Sequence, residues 1–192
     1  MSSITAWHPG VILPPDKLTP EIIEAIKSSL YPAQVVGLTA WAEARSRYVP
    51  GHGWLPNPID ALVDVVNVIH NRALDARWMG HGYAGICLAR WKFSCWEPTG
   101  GPDDPNDPDH LAENFEALME RAQLLLAGKT PTSKLEASIH VADAFIQGRH
   151  ENLLGIGVTH YIAAWLDPWP AWARGHTPVL GRHGHLFFSG IV

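Results

Sequence analysis

The sequence contains little charge, few cysteines and no long apolar run. Asp, Glu, Lys and Arg make up 17% of the 192 residues, and the net charge is −5. No cluster of Lys or Arg is present, which argues against a nucleic-acid partner and against strong adhesion to an anionic surface. No window approaches the roughly 18 apolar residues of a membrane span, so we expect no membrane insertion. The first residues, MSSITAWHPGVILPP, lack the basic region and apolar core of a signal peptide, which predicts synthesis in the cytoplasm.

The two cysteines and the eleven histidines do not form a recognisable metal motif. Two cysteines alone cannot make a closed zinc site. Cys87 and Cys95 are therefore either buried thiols or a disulfide that forms only in an oxidising compartment. The helical HExxH pattern is missing, and no acidic residue lies beside His183 or His185. We therefore predict no metal centre and no cofactor.

The length predicts a single domain after a short N-terminal arm. Residues 1–17 are predicted to be an extended arm because Pro9, Pro14 and Pro15 interrupt them. Residues 18–192 are predicted to form the domain.

Most of the predicted domain is helical. Two segments near the C-terminal end, 157–165 and 183–192, are rich in β-branched and aromatic residues and predict two short strands. The pattern indicates an α+β fold that is mainly α, with a small C-terminal β-hairpin. Apolar periodicity and helix-capping residues predict helices over 21–31, 33–48, 59–76, 83–89, 108–128 and 135–148.

The helix predicted over 33–48, AQVVGLTAWAEARSRY, contains one carboxylate among apolar residues. Thr39, Glu43 and Arg47 are spaced four apart and would share one face of this helix. A carboxyl group in apolar surroundings has a raised pKa, which suits a general acid. The alternative is that Glu43 forms an ordinary ion pair with Arg45 or Arg47 at a helix end.

The first predicted strand and the loop after it carry further candidates. If Thr159 and Tyr161 point to one face of the strand, both side chains reach a cleft that holds Glu43; the alternative is an ordinary edge strand. Aromatic rings in the following loop would stack on a sugar or cap the core of the hairpin. This loop contains Trp165, Trp169 and Trp172.

Five motifs, taken in order, resemble the SleB-like cell wall hydrolase family. They are AWAEAR at 40–45, NVIHNR at 67–72, KFSCW at 92–96, THY at 159–161 and HLFF at 185–188. The family includes spore-cortex lytic enzymes and phage or prophage wall-degrading enzymes, and the resemblance extends over residues 38–188. It implies a lysozyme-like catalytic domain that acts on the glycan strands of peptidoglycan, with Glu43 as the catalytic acid. The candidate substrate contacts, from the resemblance, the helix face and the Trp-rich loop, are Thr39, Asn71, Phe93, Ser94, Thr159, Tyr161, Trp165, Trp169 and His185.

The number of available carboxylates bears on the reaction. Hydrolysis of a glycoside by water usually needs two carboxylates, about 5–5.5 Å or about 6.5–9.5 Å apart. Nothing in the sequence places Asp60, Asp64, Asp75 or Asp167 opposite Glu43, and Asp60 and Asp64 are predicted to lie on a solvated helix face. One acid suffices if the C6 hydroxyl of N-acetylmuramic acid attacks C1, giving a 1,6-anhydro product. This is the lytic transglycosylase reaction that the resemblance implies.

Three other functions remain open from the sequence. They are a hydrolytic muramidase with a second carboxylate, a metal-dependent amidase or peptidase that uses the C-terminal histidines, and a non-catalytic glycan-binding module. We expect a monomeric phage-type endolysin. It would reach the wall or periplasm after a holin-like partner opens the membrane, or it would be carried in a virion.

Overall fold

The computed structural model describes residues 7–44, 47–49, 53–55, 59–78, 80–89, 92–97 and 108–191, with the backbone alone for 47–49, 53–55 and 108–114. Helices dominate this part of the chain, and a small antiparallel sheet follows them, which confirms the mainly α form of the α+β prediction. Its helices are α1 (Pro20–Ser29), α2 (Pro32–Glu43), α3 (Ile59–Leu74), α4 (Gly82–Leu88), α5 (Pro108–Leu126) and α6 (Ser133–Ile146).

Local capping explains where the first helices begin. The Thr19 side chain accepts a hydrogen bond from the Ile22 N–H, and Pro20 occupies the first position of α1. At the next helix start, the Gln34 side chain accepts a 2.9 Å hydrogen bond from the Tyr31 N–H, and Pro32 again comes first. The start of α1 at Thr19 and Pro20 could be predicted from the sequence because the cap involves residues no more than three positions apart.

The second helix is shorter than the sequence predicts. It ends at Glu43, and Arg47 begins strand β1 (Arg47–Val49), which pairs with β2 (Gly53–Leu55) in an antiparallel hairpin. The expectation that Arg47 shares a helix face with Thr39 and Glu43 is therefore wrong. The backbone of β1 pairs with that of β2 instead of continuing the helix.

Helix α2 lies at the centre of the core. It is apolar on all sides, with residues 35–40 and Ala42 buried, and it contacts α3, α4, α5 and α6. Gly37 allows the closest approach, because a Cβ there would lie 2.8 Å from the Cα of Ile139 on α6. Ser138 donates a 2.8 Å hydrogen bond to the Gly37 carbonyl and fixes the same contact. The middle of α2 is thus held by its contact with α6.

The C-terminal sheet has one more strand than predicted. Its order is β3 (Val158–Ala163), β5 (His185–Ser189), β4 (Leu180–Arg182), and all pairings are antiparallel. The two predicted strands are β3 and β5, whereas β4 comes from the segment predicted to be irregular. A bulge between Val158 and His160 shifts the register of β3, and Val158 and Thr159 are both buried there. Strand β3 also contacts α3, which brings the sheet close to the end of α2.

The described part of the N-terminal arm lies against α5. The Leu13 N–H donates to Gln123 Oε1 at 2.7 Å, and Gln123 Nε2 donates to the Leu13 carbonyl at 3.2 Å. One turn of 3-10 helix, Pro15–Lys17, follows before α1. Residues 1–6 of the predicted arm lie outside the described residues.

Among the described helices, none combines the length and the apolar character that a membrane span requires.

Candidate active site

Glu43 is the last residue of α2, and its carboxyl group receives hydrogen bonds from two other elements. The Tyr161 hydroxyl, on β3, donates to Oε2 at 3.0 Å. The thiol and the backbone N–H of Cys95 also bond to the carboxyl, from a 3-10 turn at Ser94–Trp96. Three segments that are distant in sequence therefore meet at one carboxyl group.

Burial raises the pKa of Glu43 above its ordinary value of 4.5. The bonds from Tyr161 and Cys95 and the positive charge of Arg72 favour the carboxylate and lower the pKa, but burial outweighs them. The position at the C-terminal end of α2 acts in the same direction as burial, because the helix dipole disfavours a negative charge there. The residue keeps part of its surface exposed, although the carboxyl itself lies among packed atoms. The raised pKa predicted from the apolar neighbours is confirmed.

Arg72, near the end of α3, carries the positive charge that lowers the pKa of Glu43. Its side chain is 6% exposed, and its Nε donates to the Thr159 carbonyl at 2.7 Å. The guanidinium carbon lies 4.9 Å from the centroid of the Phe93 ring and 5.2 Å from that of Trp78. A guanidinium group remains protonated in proteins, so Arg72 stabilises the carboxylate that Glu43 forms on giving up a proton.

The donors around Glu43 remain protonated at neutral pH. Burial, followed by the negative charge of Glu43, raises the pKa of Tyr161 well above 10. The same two effects raise the pKa of Cys95, and burial raises that of Cys87 to about 12. Both cysteines are free and buried, as the thiol alternative predicts. A thiol with such a high pKa is a hydrogen-bond donor and a poor nucleophile.

Three predicted substrate contacts are committed to hydrogen bonds inside the protein. Thr39 is fully buried; its hydroxyl donates to the Val35 carbonyl at 2.7 Å and accepts from Trp96 Nε1 at 2.8 Å. The Asn71 amide donates to the Gly155 and Val158 carbonyls, both at 2.9 Å.

Thr159, the third of these residues, is also fully buried. Its hydroxyl lies 3.0 Å from Nδ1 of His160. Asn71 bonds the Val158 carbonyl and Arg72 bonds the Thr159 carbonyl. These two bonds join α3 to the start of β3. The internal bonds of Thr39, Asn71 and Thr159 position the elements that carry Glu43 and Tyr161.

Two other candidates pack against residues that act on the Glu43 carboxyl, and a third candidate is exposed. Phe93 is buried beneath Arg72. His185 is buried, and its ring packs edge-on to that of Tyr161, with centroids 5.1 Å apart. Ser94 is exposed at the start of the 3-10 turn that contains Cys95.

The tryptophans of the C-terminal loop lie on the far side of the sheet core. Trp169 and Trp172 pack edge-on against Phe188, with centroid distances of 5.8 and 5.5 Å. They cover a small apolar cluster that includes Ile162. Trp165 lies next to Gly184 in the turn between β4 and β5. These contacts favour the core-capping interpretation for Trp169 and Trp172, although both rings remain partly exposed.

Asp64 does not lie on a solvated face, so that prediction is wrong for this residue. It is 1% exposed, and Arg182 binds it through Nε, at 3.1 and 3.0 Å from the two carboxylate oxygens, and through Nη2. His183 Nδ1 lies 2.8 Å from Oδ2. The end of β4 and the turn after it cover this side of α3 and provide Arg182 and His183, respectively. Asp60, by contrast, is exposed as predicted.

Within the described residues, neither Asp75 nor Asp167, the other two candidates for a second acid, contacts Glu43. Asp75 is bonded to Arg77, which lowers the pKa of Asp75 to about 2. Asp167 is exposed in the Trp-rich loop. In the part of the chain that the structure describes, no three His, Cys, Asp or Glu side chains form a group that could hold a metal ion.

The chain was compared with models of protein families, with curated proteins and with solved structures. Nothing matches. The SleB-like resemblance is therefore carried by the five sequence motifs alone and stays a prediction.

Sequence reasoning missed Arg72 and the direct contact of Cys95 with Glu43. A signal for Arg72 was present, because Val65, Ile69 and Arg72 follow the 3.6-residue period of the buried face of α3. A charged residue in that stripe indicates a buried ion that needs partners. Cys95 gave no comparable signal. The alternative in which Glu43 pairs with Arg45 or Arg47 concerns side chains outside the described residues.

Proposed function

We propose that this protein is a peptidoglycan-degrading glycosidase of the lytic transglycosylase class, with Glu43 as its single catalytic acid and base. The observation that carries the proposal is the carboxyl of Glu43, whose pKa is raised by burial and which three donors hold in place. The substrate, the glycan strands of peptidoglycan, is inferred from the motif resemblance. The bond cleaved is that between N-acetylmuramic acid and N-acetylglucosamine.

The reaction begins with proton transfer from the Glu43 carboxyl to the glycosidic oxygen. The bond between that oxygen and C1 of N-acetylmuramic acid breaks, and positive charge develops at C1. Glu43 is left as a carboxylate, which the Tyr161 hydroxyl, the Cys95 donors and the charge of Arg72 stabilise. The C6 hydroxyl then closes on C1 and gives its proton to Glu43. The carboxyl is restored, and the product is a 1,6-anhydro sugar.

The surroundings of Glu43 support a mechanism with one carboxylate. The largest influences on its pKa are burial, Tyr161, Cys95 and Arg72, and none of these is a second acid. Asp64 and Asp75 are engaged with arginines elsewhere. A retaining or inverting hydrolase would need one further carboxylate within about 10 Å of Glu43.

The test is the chemical form of the new chain ends. Purified sacculi are digested with the protein, and the released fragments are analysed by mass spectrometry before and after borohydride reduction. The proposal predicts anhydro ends, which are one water lighter than hydrolysed ends and resist reduction. Reducible muramic ends would identify a hydrolytic muramidase instead. Release of peptides without cleavage of glycan would identify an amidase or peptidase.

A further inference from the structure

Two positive side chains lie against the ring of Trp78. The Arg72 guanidinium carbon is 5.2 Å from the ring centroid, and the Lys92 ammonium is 4.7 Å from it. Arg72 is buried, Trp78 is partly exposed and Lys92 is exposed. The indole ring therefore joins an interior charge to a surface charge, and attraction to its π face helps to hold both.

Among the described residues, neither of these charges forms an ion pair, although the charge of Arg72 also acts on Glu43. No described carboxylate forms an ion pair with the Lys92 ammonium. Nη1 of Arg72 is buried and has no hydrogen-bond partner among the described residues. Buried polar atoms of this kind are rare and need an explanation. Arg77, beside Trp78 in sequence, differs because Asp75 binds it.

The positive charges act together on a nearby histidine. The pKa of His160 is lowered to about 4, mainly by burial and then by Arg72, Arg77 and Lys92. Asp75 alone among the principal influences opposes this shift. His160 is therefore neutral near pH 7, and the region carries net positive charge in a chain whose overall charge is −5.

This region adjoins the carboxyl of Glu43. Arg72 influences the pKa of both Glu43 and His160. Its other face packs on Phe93, two residues before Cys95, which bonds to Glu43. A group bound at Trp78 and Lys92 would thus lie against Arg72, which also acts on Glu43.

We propose that Lys92, Trp78 and Arg72 form a subsite for a carboxylate on the side chain of the muramic acid residue that Glu43 attacks. The inference rests on the proposed function. The sugars of the strand carry hydroxyl and acetamido groups, which are neutral. The negative charges of the strand lie on the muramyl side chain, either on its lactyl group or on the attached stem peptide. A cationic subsite beside the acid therefore selects muramic acid and sets its register.

The test compares native protein with Lys92→Gln on soluble, teichoic-acid-free glycan strands in three forms. Intact strands carry stem peptides. Amidase-stripped strands carry the lactyl carboxylate alone. Capped strands are stripped strands whose lactyl carboxyls are coupled to ethanolamine, so they are neutral. Lys92→Arg tests rescue of the charge, and Lys129→Gln, an exposed lysine in the turn after α5, is the matched control for net charge.

We expect Lys92→Gln to raise KM on intact strands about three- to fivefold at low ionic strength, as for one partly exposed charge pair. Salt should reduce this effect, Lys92→Arg should restore KM, and Lys129→Gln should not change it. The difference between native and Lys92→Gln should disappear on capped strands. In intact strands the lactyl carboxyl is bound as an amide to the stem peptide, so an effect there assigns the subsite to a stem carboxylate. A larger effect on stripped strands than on intact strands assigns it to the lactyl carboxylate.

An unchanged KM on both intact and stripped strands, or an equal rise on capped strands, would overturn the subsite. A native protein that cleaves none of the three strands would overturn the proposed function itself, and the subsite with it.

Discussion

The Tyr161 hydroxyl donates a 3.0 Å hydrogen bond to Oε2 of Glu43, across 118 residues of sequence. It joins the C-terminal sheet to the last residue of α2. The bond is possible because β3 docks on α3, where Asn71 and Arg72 hold the start of the strand. The orientation of the carboxyl therefore depends on the packing of the sheet against the helices.

Replacing Tyr161 with Phe should slow strand cleavage about tenfold, because a hydrogen bond to a charged group contributes about 1.5 kcal/mol or more. The Tyr161 hydroxyl lowers the pKa of Glu43. Without it the carboxyl stays protonated to higher pH, so the alkaline limb of the rate profile should move upward. Steady-state rates between pH 4 and 9 measure both effects.

Tyr83→Phe is the control for this experiment, since its hydroxyl contacts Nδ1 of His70 at 2.8 Å and not Glu43. It should leave the position of the alkaline limb unchanged. A Tyr161→Phe protein with the native rate and profile would mean that the bond to Glu43 plays no part in the reaction.

Replacing Glu43 with Gln should stabilise the fold at neutral pH. The folded carboxyl has a raised pKa, so between 4.5 and that raised value the folded state binds more protons than the unfolded state. Stability therefore falls as pH rises through the folded pKa, and the neutral amide removes this loss. Urea unfolding at pH 7 and at pH 4 should show a gain for the variant at pH 7 that shrinks at pH 4. A variant that is less stable than native at pH 7 would contradict the raised pKa.

Replacing Thr39 with Val should lower the free energy of unfolding by about 1–3 kcal/mol. The buried indole N–H of Trp96 would lose its acceptor, although the side chain keeps its size. Thr39→Ser keeps the hydroxyl and should be less destabilising. Because the hydroxyl is committed inside the protein, the activity of the folded Val variant should be native. If Thr39→Val has a raised KM and native stability, Thr39 contacts the substrate.

Replacing Asp64 with Asn should destabilise the fold by about 3 kcal/mol, since it leaves Arg182 beside a neutral group. This destabilisation is at the lower end of the range for breaking a buried ion pair, because the Arg182 side chain is 31% exposed. Asp60→Asn, on the same helix but exposed, should change stability by less than about 0.5 kcal/mol. Denaturant unfolding measures both variants, and similar values for the two would show that Asp64 is not a buried partner.

Several parts of this structure could be predicted because their causes are local. Thr19 and Pro20 mark the start of α1, and positive φ at Gly128 and Gly148 follows the ends of α5 and α6. The apolar neighbours of Glu43 likewise predicted a raised pKa.

The remaining features depend on residues that are far apart in sequence. Asp64 fits a solvated helix face until Arg182 and His183 cover it from the turn between β4 and β5. Strand β4 forms because β5 offers it a backbone partner, although its own sequence has weak strand character. Asn71 was predicted near the cleft, but its partners in residues 152–158 could not be read from the sequence.

The most direct measurement of the central claim is the rate at which purified sacculi release soluble fragments with native protein, Glu43→Gln and Glu136→Gln. Glu136 is exposed in the first turn of α6 and provides the matched control. If Glu43 is the proton donor, Glu43→Gln should fold normally and lose at least about a hundredfold in rate, while Glu136→Gln keeps the native rate. A folded Glu43→Gln protein that solubilises sacculi at the native rate would contradict the account.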